Sequence, residues 1–232
     1  MQAITPLEYG YTYHIYNRGI NSTDIFTCEA NYKRFLSLYG QYISPVADTY
    51  AWVLLRNHFH LLVRIKDEEE IPFIPAPDLR HCQGVAADRA GGGAALTEVE
   101  DPVSGIVREV SNGKKYNPSR QFSHLFNAYA QYFNKFTGRH GGLFETPFRR
   151  IRIDSENYFR RLVYYIHHNP VKHGFAEHIL DWGWSSYLTI ISVKPTRLSR
   201  EKVLGYFDDV GNFKAYHQKQ YDMREIEDLL LE

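Results

Sequence analysis

The order of apolar and polar positions predicts two kinds of element in the first part of the chain. Residues 11–17 alternate between the two classes and are rich in residues that favour strands. Residues 29–43 instead carry apolar side chains at helical spacing. The apolar run 51–63 is broken only at Arg56 and Asn57, so it indicates two adjacent strands joined by a tight turn.

The later part of the chain shows a helix, a strand and a second helix. Residues 118–138 form a strongly amphipathic pattern that predicts a helix. Residues 143–153 alternate apolar and basic side chains, which favours a strand. We expect the following helix to be capped by Asp154 or Ser155 and ended by Pro170.

Residues 67–117 lie between these two parts and have no sustained periodicity. They are first acidic, then proline-rich and then glycine-rich, which predicts an inserted flexible loop. The predicted order is therefore β-α-β-β-(insert)-α-β-α, and its first six elements match an α+β fold with a ferredoxin-like split βαβ sheet. We expect a domain over residues 1–190 with one added helix, followed by a helical extension over 191–232.

Composition describes an ordinary globular protein and excludes several classes. The chain has 232 residues, of which 44% are hydrophobic and 23% charged. No apolar stretch approaches the ~20 residues of a membrane span, and the first residues do not resemble a signal peptide. Two cysteines make neither a disulfide framework nor a metal motif. We therefore expect a cytoplasmic protein with no membrane partner.

Two histidines stand out in the second strand of the apolar run. His58 and His60 are two residues apart, so on a strand both imidazoles project from one face and can reach one metal ion. Phe59, Leu61 and Val63 then point into a core on the other face. An isolated His-x-His pair is more often structural, so the pair alone is suggestive only.

The capped helix after residue 155 offers candidate tyrosines. Its core-facing stripe places Tyr165 and Asn169 together on one flank, while Tyr164 and His168 should face solvent. We therefore favour Tyr165 over Tyr164 as a functional tyrosine. Tyr158, two turns earlier on the same flank, is the rival, and Asn169 with the following proline also suits a simple helix stop. His167 and His168 diverge by ~100°, so we interpret them as surface residues or phosphate contacts.

Charge is balanced overall but not along the chain. Lys+Arg and Asp+Glu both number 27, yet residues 114–172 are strongly basic. A locally basic region with many tyrosines suits a single-stranded nucleic acid. The alternative, structural interpretations are that the arginines form a solvated strand edge and that the tyrosines occupy amphipathic positions. The candidate DNA contacts are Arg120, Arg149, Arg150, Arg152, Arg161 and Lys172.

These motifs together resemble a known family. Residues 57–63 are similar to the His-hydrophobic-His motif of the HUH endonucleases. Residues 142–150, 165–174 and 184–187 resemble the REP-associated tyrosine transposases, which belong to the single-tyrosine HUH transposases. The resemblance runs from about Tyr11 to Tyr187, with the motifs in the same order.

The resemblance implies a transposase that cleaves single-stranded DNA and transfers the strand, often at hairpin-forming repeats. His58 and His60 would ligate Mg²⁺ or Mn²⁺, and Asn169 would supply a further polar ligand. Tyr165 would then attack the scissile phosphate and form a 5′-phosphotyrosine link. A monomer and a homodimer both remain open.

Two other classes of function also fit the sequence. One is a catalytically silent module that binds DNA hairpins or single strands. The other is a metal-dependent hydrolase of small phosphoesters, which predicts a richer set of carboxylates near the histidines.

Overall fold

The computed structural model describes residues 6–75, 97–100, 107–223 and 226. Its strands are β1 (Thr12–Arg18), β2 (Ala47–Leu54), β3 (His58–Ile65), β4 (Phe73–Pro75), β5 (Thr97–Glu100), β6 (Val107–Lys115) and β7 (Arg149–Ile153). Its helices are α1 (Glu29–Tyr42), α2 (Pro118–Thr137), α3 (Glu156–Lys172), α4 (Tyr187–Ile191), α5 (Arg200–Gly205) and α6 (Val210–Gln218).

The main sheet has four antiparallel strands in the order β2-β3-β1-β7. With α1 between β1 and β2 and α2 before β7, this is the predicted ferredoxin-like split βαβ arrangement within an α+β fold. The register across β1 places Tyr16 opposite His60 on one side and opposite Arg149 on the other. These three residues therefore form one row across the sheet.

Both faces of this sheet are buried. Phe59, Leu61 and Val63 belong to a core shared with α1 and α2, as their spacing predicted. Leu62, on the other face, packs in a second core with Leu162 of α3 and with helices of the C-terminal extension. The face that carries the histidine pair is therefore covered by α3.

The ends of α2 and α3 follow the sequence signals with one exception. The side chain of Ser155 accepts a hydrogen bond from the Tyr158 amide at 3.2 Å, so Ser155 is the cap of α3. Pro170 does not end α3, contrary to our prediction, because the helix continues to Lys172. A proline removes only its own N–H, and the His173 amide still donates to the Asn169 carbonyl at 3.0 Å.

The segment 67–117 contains regular structure that the sequence pattern did not predict. β4, β5 and β6 form a second antiparallel sheet in the order β4-β6-β5. β4 and β5 have only three and four residues, so local sequence gives a weak signal for them and their order depends on pairing with β6. Residues 76–96 and 101–106 lie outside the described residues.

The strand predicted over residues 143–153 is shorter in the structure. Only Arg149–Ile153 pairs continuously with β1, while Phe144 makes an isolated bridge to Gly19. Pro147 has no N–H to donate to a ladder, which is consistent with a strand that begins after it.

Our prediction that Tyr164 and His168 face solvent was wrong, because the C-terminal extension covers that side of α3. Tyr164 is only 4% exposed, and its hydroxyl donates to the Lys219 carbonyl at 3.1 Å. His168 stacks on Tyr164, with ring centroids 3.8 Å apart. The side of α3 turned away from the sheet is therefore covered by the extension and is not exposed to solvent.

No helix within the described part of the chain combines the length and the apolar character needed to cross a membrane.

Candidate functional site

The histidine pair lies on the face of β3 that α3 covers. The ring centroids of His58 and His60 are 5.2 Å apart. His60 is 6% exposed, and His58, the first residue of the strand, is half-buried. The prediction that one face of β3 carries both imidazoles is confirmed.

His58 is held by asparagines from two parts of the chain. Its Nδ1 lies 2.7 Å from Oδ1 of Asn57, whose Nδ2 lies 3.5 Å from the Ser22 carbonyl. An amide oxygen only accepts, so Nδ1 of His58 donates and Nε2 keeps its lone pair. That Nε2 lies 3.2 Å from Oδ1 of Asn169.

The contact between His58 and Asn169 is the best observation on which to judge a metal site. With these atoms facing each other, two acceptors converge, and Nδ2 of Asn169 is buried without a partner. Turning the amide would replace this arrangement by an ordinary hydrogen bond from Nδ2 to Nε2. In the orientation present, the nitrogen and oxygen lone pairs suit a cation between them.

His60 has a buried partner that the sequence pattern did not single out. Its Nδ1 lies 2.9 Å from Nε2 of His14 on β1, and the two rings stack with centroids 5.1 Å apart. Like the His58 pairing, this contact occupies Nδ1 and leaves Nε2 as the available nitrogen. Histidines that bind metals typically have their other ring nitrogen hydrogen-bonded to a neighbouring group.

Burial keeps the rings of this site neutral at pH 7. It lowers the pKa of His14 to about 3 and that of His58 to about 4. The pKa of His60 is also well below its ordinary value, through burial and the neighbouring imidazoles. A neutral imidazole has the lone pair that a metal ligand needs.

Tyr165 lies beside the histidines, an arrangement that the family resemblance implied. Its ring meets that of His60 edge-on, with centroids 5.4 Å apart, and the side chain is 5% exposed. Nζ of Lys172 lies 5.5 Å from the centre of the Tyr165 ring. The structure therefore brings Tyr165, His58, His60 and Asn169 together, although their roles stay predictions.

The neighbouring tyrosines differ from Tyr165 in their surroundings. The hydroxyl of Tyr164 is bonded to the Lys219 carbonyl under the C-terminal extension. Burial raises the pKa of Tyr158 to about 12, which makes ionisation of its phenol costly.

His167 is a buried structural residue, not the surface residue that we predicted. Its Nδ1 lies 2.9 Å from Nε2 of His217, and its Nε2 lies 2.9 Å from Oγ of Ser186. Because His217 Nδ1 can only donate to the Phe213 carbonyl, its Nε2 accepts from His167, and His167 Nε2 accepts from Ser186. This chain of hydrogen bonds ties α3 to the extension.

The predicted DNA contacts do not form one patch. Arg149 is exposed and shares the row of Tyr16 and His60, whereas Arg150 and Arg152 point to the opposite face of the sheet. There the Arg150 guanidinium lies 3.9 Å from the centre of the Phe148 ring, and that of Arg152 lies 3.4 Å from that of Tyr11.

The other three basic residues lie on helices. Lys172 is exposed at the end of α3, beside Tyr165. Arg120 is exposed in the first turn of α2. Burial raises the pKa of Tyr216 to about 12, and Arg161 of α3 is close enough to oppose that shift. Of the six predicted residues, Lys172 lies beside Tyr165, and Arg149 pairs with Tyr16, which in turn pairs with His60.

Two further residues of the site were not anticipated. His14 lies in the alternating pattern of the first strand, but only the strand register shows that it faces His60. His173 follows α3, and its ring centroid is 5.0 Å from that of His58.

Among the described residues, no group of three or more His, Cys, Asp or Glu side chains could hold a metal ion. The candidate donor set of two imidazoles and one amide oxygen is therefore sparse. Such a set fits a cation that takes its remaining ligands from water and from substrate phosphate, as Mg²⁺ commonly does.

Comparisons with known proteins give one structural similarity. No protein-family model matches the chain, and no curated protein matches it. A solved structure of a REP-associated tyrosine transposase bound to a REP hairpin is similar at 16% identity, with a TM-score of 0.49. The match covers 84% of this chain and 88% of that chain. That protein bears the name of the family that the motifs resemble, but similarity at this level does not define a substrate or a reaction.

Proposed function

We propose that this chain is a DNA strand transferase of the single-tyrosine HUH transposase type, which acts on single-stranded DNA at hairpin-forming repeats. One observation carries the proposal. Tyr165 and Asn169 of α3 meet His58 and His60 of β3 on one face of the sheet, across 111 residues in the case of His58 and Asn169. Aromatic packing alone does not require two neutral imidazoles and an amide beside a tyrosine.

The donor atoms would be His58 Nε2, His60 Nε2 and Asn169 Oδ1. A divalent ion bound there, Mg²⁺ or Mn²⁺, would supply Lewis-acid polarisation of the scissile phosphate. The partners of the two imidazoles at Nδ1 hold the rings in place for this task.

Tyr165 would be the nucleophile. Its phenolic oxygen forms a bond to phosphorus as the bond from phosphorus to the 3′-oxygen breaks. The phenol proton leaves to water, and the departing 3′-oxygen takes up a proton. The 5′-phosphate stays on Tyr165, where a later 3′-hydroxyl can attack it and restore the phosphodiester.

Two exposed, positively charged side chains beside the site would bind the phosphates of the DNA backbone. Lys172 lies over the Tyr165 ring, and Arg149 lies in the row of His60. Positive charge at these positions attracts the phosphates of a DNA strand. This arrangement predicts that the strand crosses the sheet edge near β7.

The test is formation of a covalent adduct. Single-stranded oligonucleotides that tile the hairpin-forming repeats flanking the gene are incubated with protein and Mg²⁺ or Mn²⁺, then run on a denaturing gel. We expect a protein–DNA band that requires the cation and is lost in Tyr165→Phe. Tyr164→Phe is the matched control and should retain the band, whereas a band that survives in Tyr165→Phe would remove that residue from its role.

The burial of the site supports a second candidate, a catalytically silent DNA-binding module. Tyr165 and His60 are 5% and 6% exposed, so a phosphate reaches them only if the site opens. A silent module would bind hairpins in a gel-shift assay and would form no covalent adduct with either Mg²⁺ or Mn²⁺.

A further inference from the structure

A buried pair of neutral imidazoles lies behind the candidate cation site. His14 is 0% exposed and His60 6%, and Nε2 of His14 lies 2.9 Å from Nδ1 of His60. One proton bridges these two nitrogens. The position of that proton determines whether the other nitrogen of each ring is protonated or has a free lone pair.

The first arrangement places the bridging proton on His14. His60 then accepts through Nδ1 and carries its own proton on Nε2, so it has no lone pair to offer a cation. His14 keeps a bare Nδ1, which is buried without a partner.

The second arrangement places the bridging proton on His60. His60 Nε2 then has a free lone pair, and His14 carries its proton on Nδ1, where no acceptor is in reach. A buried N–H without an acceptor is rarer in proteins than an acceptor without a donor. The free protein should therefore favour the first arrangement.

We propose that His14 is a positioning residue that makes His60 a ligand, and that cation binding reverses the hydrogen bond between the two rings. The proposal rests on the proposed function, because it requires a divalent cation at His60. The Nε2 proton of His60 leaves to solvent as the cation binds, the bridging proton moves from His14 Nε2 to His60 Nδ1, and His14 takes up one proton at Nδ1. The net charge of the two rings does not change, since each ring carries one proton before and after. The reversal makes cation affinity depend on a residue that does not touch the cation.

Neighbouring rings hold His14 in this geometry. Its ring stacks on Tyr16 as well as His60, with centroids 4.8 Å and 5.1 Å away. Rotation of His14 away from His60 would break both stacks. The bridging proton can therefore move from one ring to the other while both rings keep their positions.

The direct test is nitrogen NMR of the intact protein labelled with ¹⁵N-histidine, without and with saturating Mg²⁺, which is diamagnetic. Protonated and bare imidazole nitrogens have well-separated ¹⁵N shifts. We expect His14 to carry its proton on Nε2 in the free protein and on Nδ1 with Mg²⁺. A His14 that keeps its proton on Nε2 in the Mg²⁺-saturated protein would overturn the inference.

Two variants test the same point through affinity. His14→Phe keeps an aromatic ring but offers no acceptor, and should weaken Mn²⁺ binding in calorimetry by tenfold or more. His14→Gln offers a carbonyl oxygen to His60 and should recover most of that loss. Equal affinity in His14→Phe and the unaltered protein would contradict the role of His14.

The outcomes separate this inference from the proposed function. If the unaltered protein binds neither Mg²⁺ nor Mn²⁺ at millimolar concentration, the cation site itself is wrong and the inference falls with it. If the cation binds and the His14 proton does not move, the site stands and only the inference is wrong.

Discussion

Oδ1 of Asn169 lies 3.2 Å from Nε2 of His58, and the two residues are 111 positions apart in the chain. Because Nδ1 of His58 already donates to Asn57, this contact joins two atoms that both carry lone pairs. A cation between them turns an unfavourable contact into a favourable one. The relationship therefore connects the fold to the proposed chemistry.

Loss of the Asn169 amide should weaken the cation site. Asn169→Ala removes one of three donors, so we expect Mn²⁺ affinity in calorimetry to fall by about tenfold or more. Asn157→Ala is the matched control, since Asn157 is exposed on the same helix. Unchanged affinity in Asn169→Ala would exclude its oxygen as a ligand.

The two faces of the sheet edge should contribute differently to DNA binding. Arg149→Ala should weaken binding of a single-stranded oligonucleotide several-fold, because Arg149 lies in the row of His60. The slope of log affinity against log salt should become shallower by about 0.7, the value for one lost phosphate contact on a single strand.

Arg152→Ala is the control for this prediction, since Arg152 stacks on Tyr11 on the opposite face. Its salt slope should match that of the unaltered protein. If Arg152→Ala changed the slope and Arg149→Ala did not, the strand would follow the other face of the sheet.

Acid should destabilise the protein well before its carboxylates titrate. Burial lowers the pKa of His217 from 6.5 to about 3. Between these two pH values the imidazole is therefore protonated in the unfolded chain but neutral in the folded chain. The free energy of unfolding should therefore fall as pH drops from 6.5 towards 3, by roughly 1.4 kcal/mol per pH unit for this residue.

Urea unfolding at several values of pH measures this effect. His217→Gln should reduce the pH slope by the contribution of one proton. Identical slopes in His217→Gln and the unaltered protein would show that His217 is not held neutral.

The cap of α3 should contribute measurably to stability. The Ser155 side chain accepts from the Tyr158 amide, so Ser155→Ala should lower the free energy of unfolding by about 1 kcal/mol. Ser123→Ala is the control, because that exposed hydroxyl only donates back to the Ser119 carbonyl within α2. Equal effects of the two substitutions would contradict a capping role.

Local periodicity was sufficient to predict much of the site. The two-residue period of a strand placed His58 and His60 on one face, and the four-residue spacing of a helix placed Tyr165 beside Asn169. These relationships lie within single elements, so they need no knowledge of how the elements pack.

The errors concern contacts between elements. Helical spacing placed Tyr164 and His168 correctly on the side of α3 turned away from the sheet, but it could not show that the C-terminal extension covers that side. The register between β1 and β3 pairs His14 with Leu62 and Tyr16 with His60, and so brings His14 diagonally next to His60. The small sheet likewise depends on pairing of the short strands β4 and β5 with β6.

The most direct test of the central claim is to identify the residue that carries DNA. The protein is incubated with a hairpin-bearing single-stranded oligonucleotide and Mn²⁺, digested with nuclease and protease, and examined by peptide mass spectrometry. The account predicts a nucleotide 5′-phosphate on the peptide that contains Tyr165, absent when the cation is omitted or His58 is replaced by alanine. A phosphate on Tyr158 or Tyr164, or none on any tyrosine while the hairpin is bound, would contradict it.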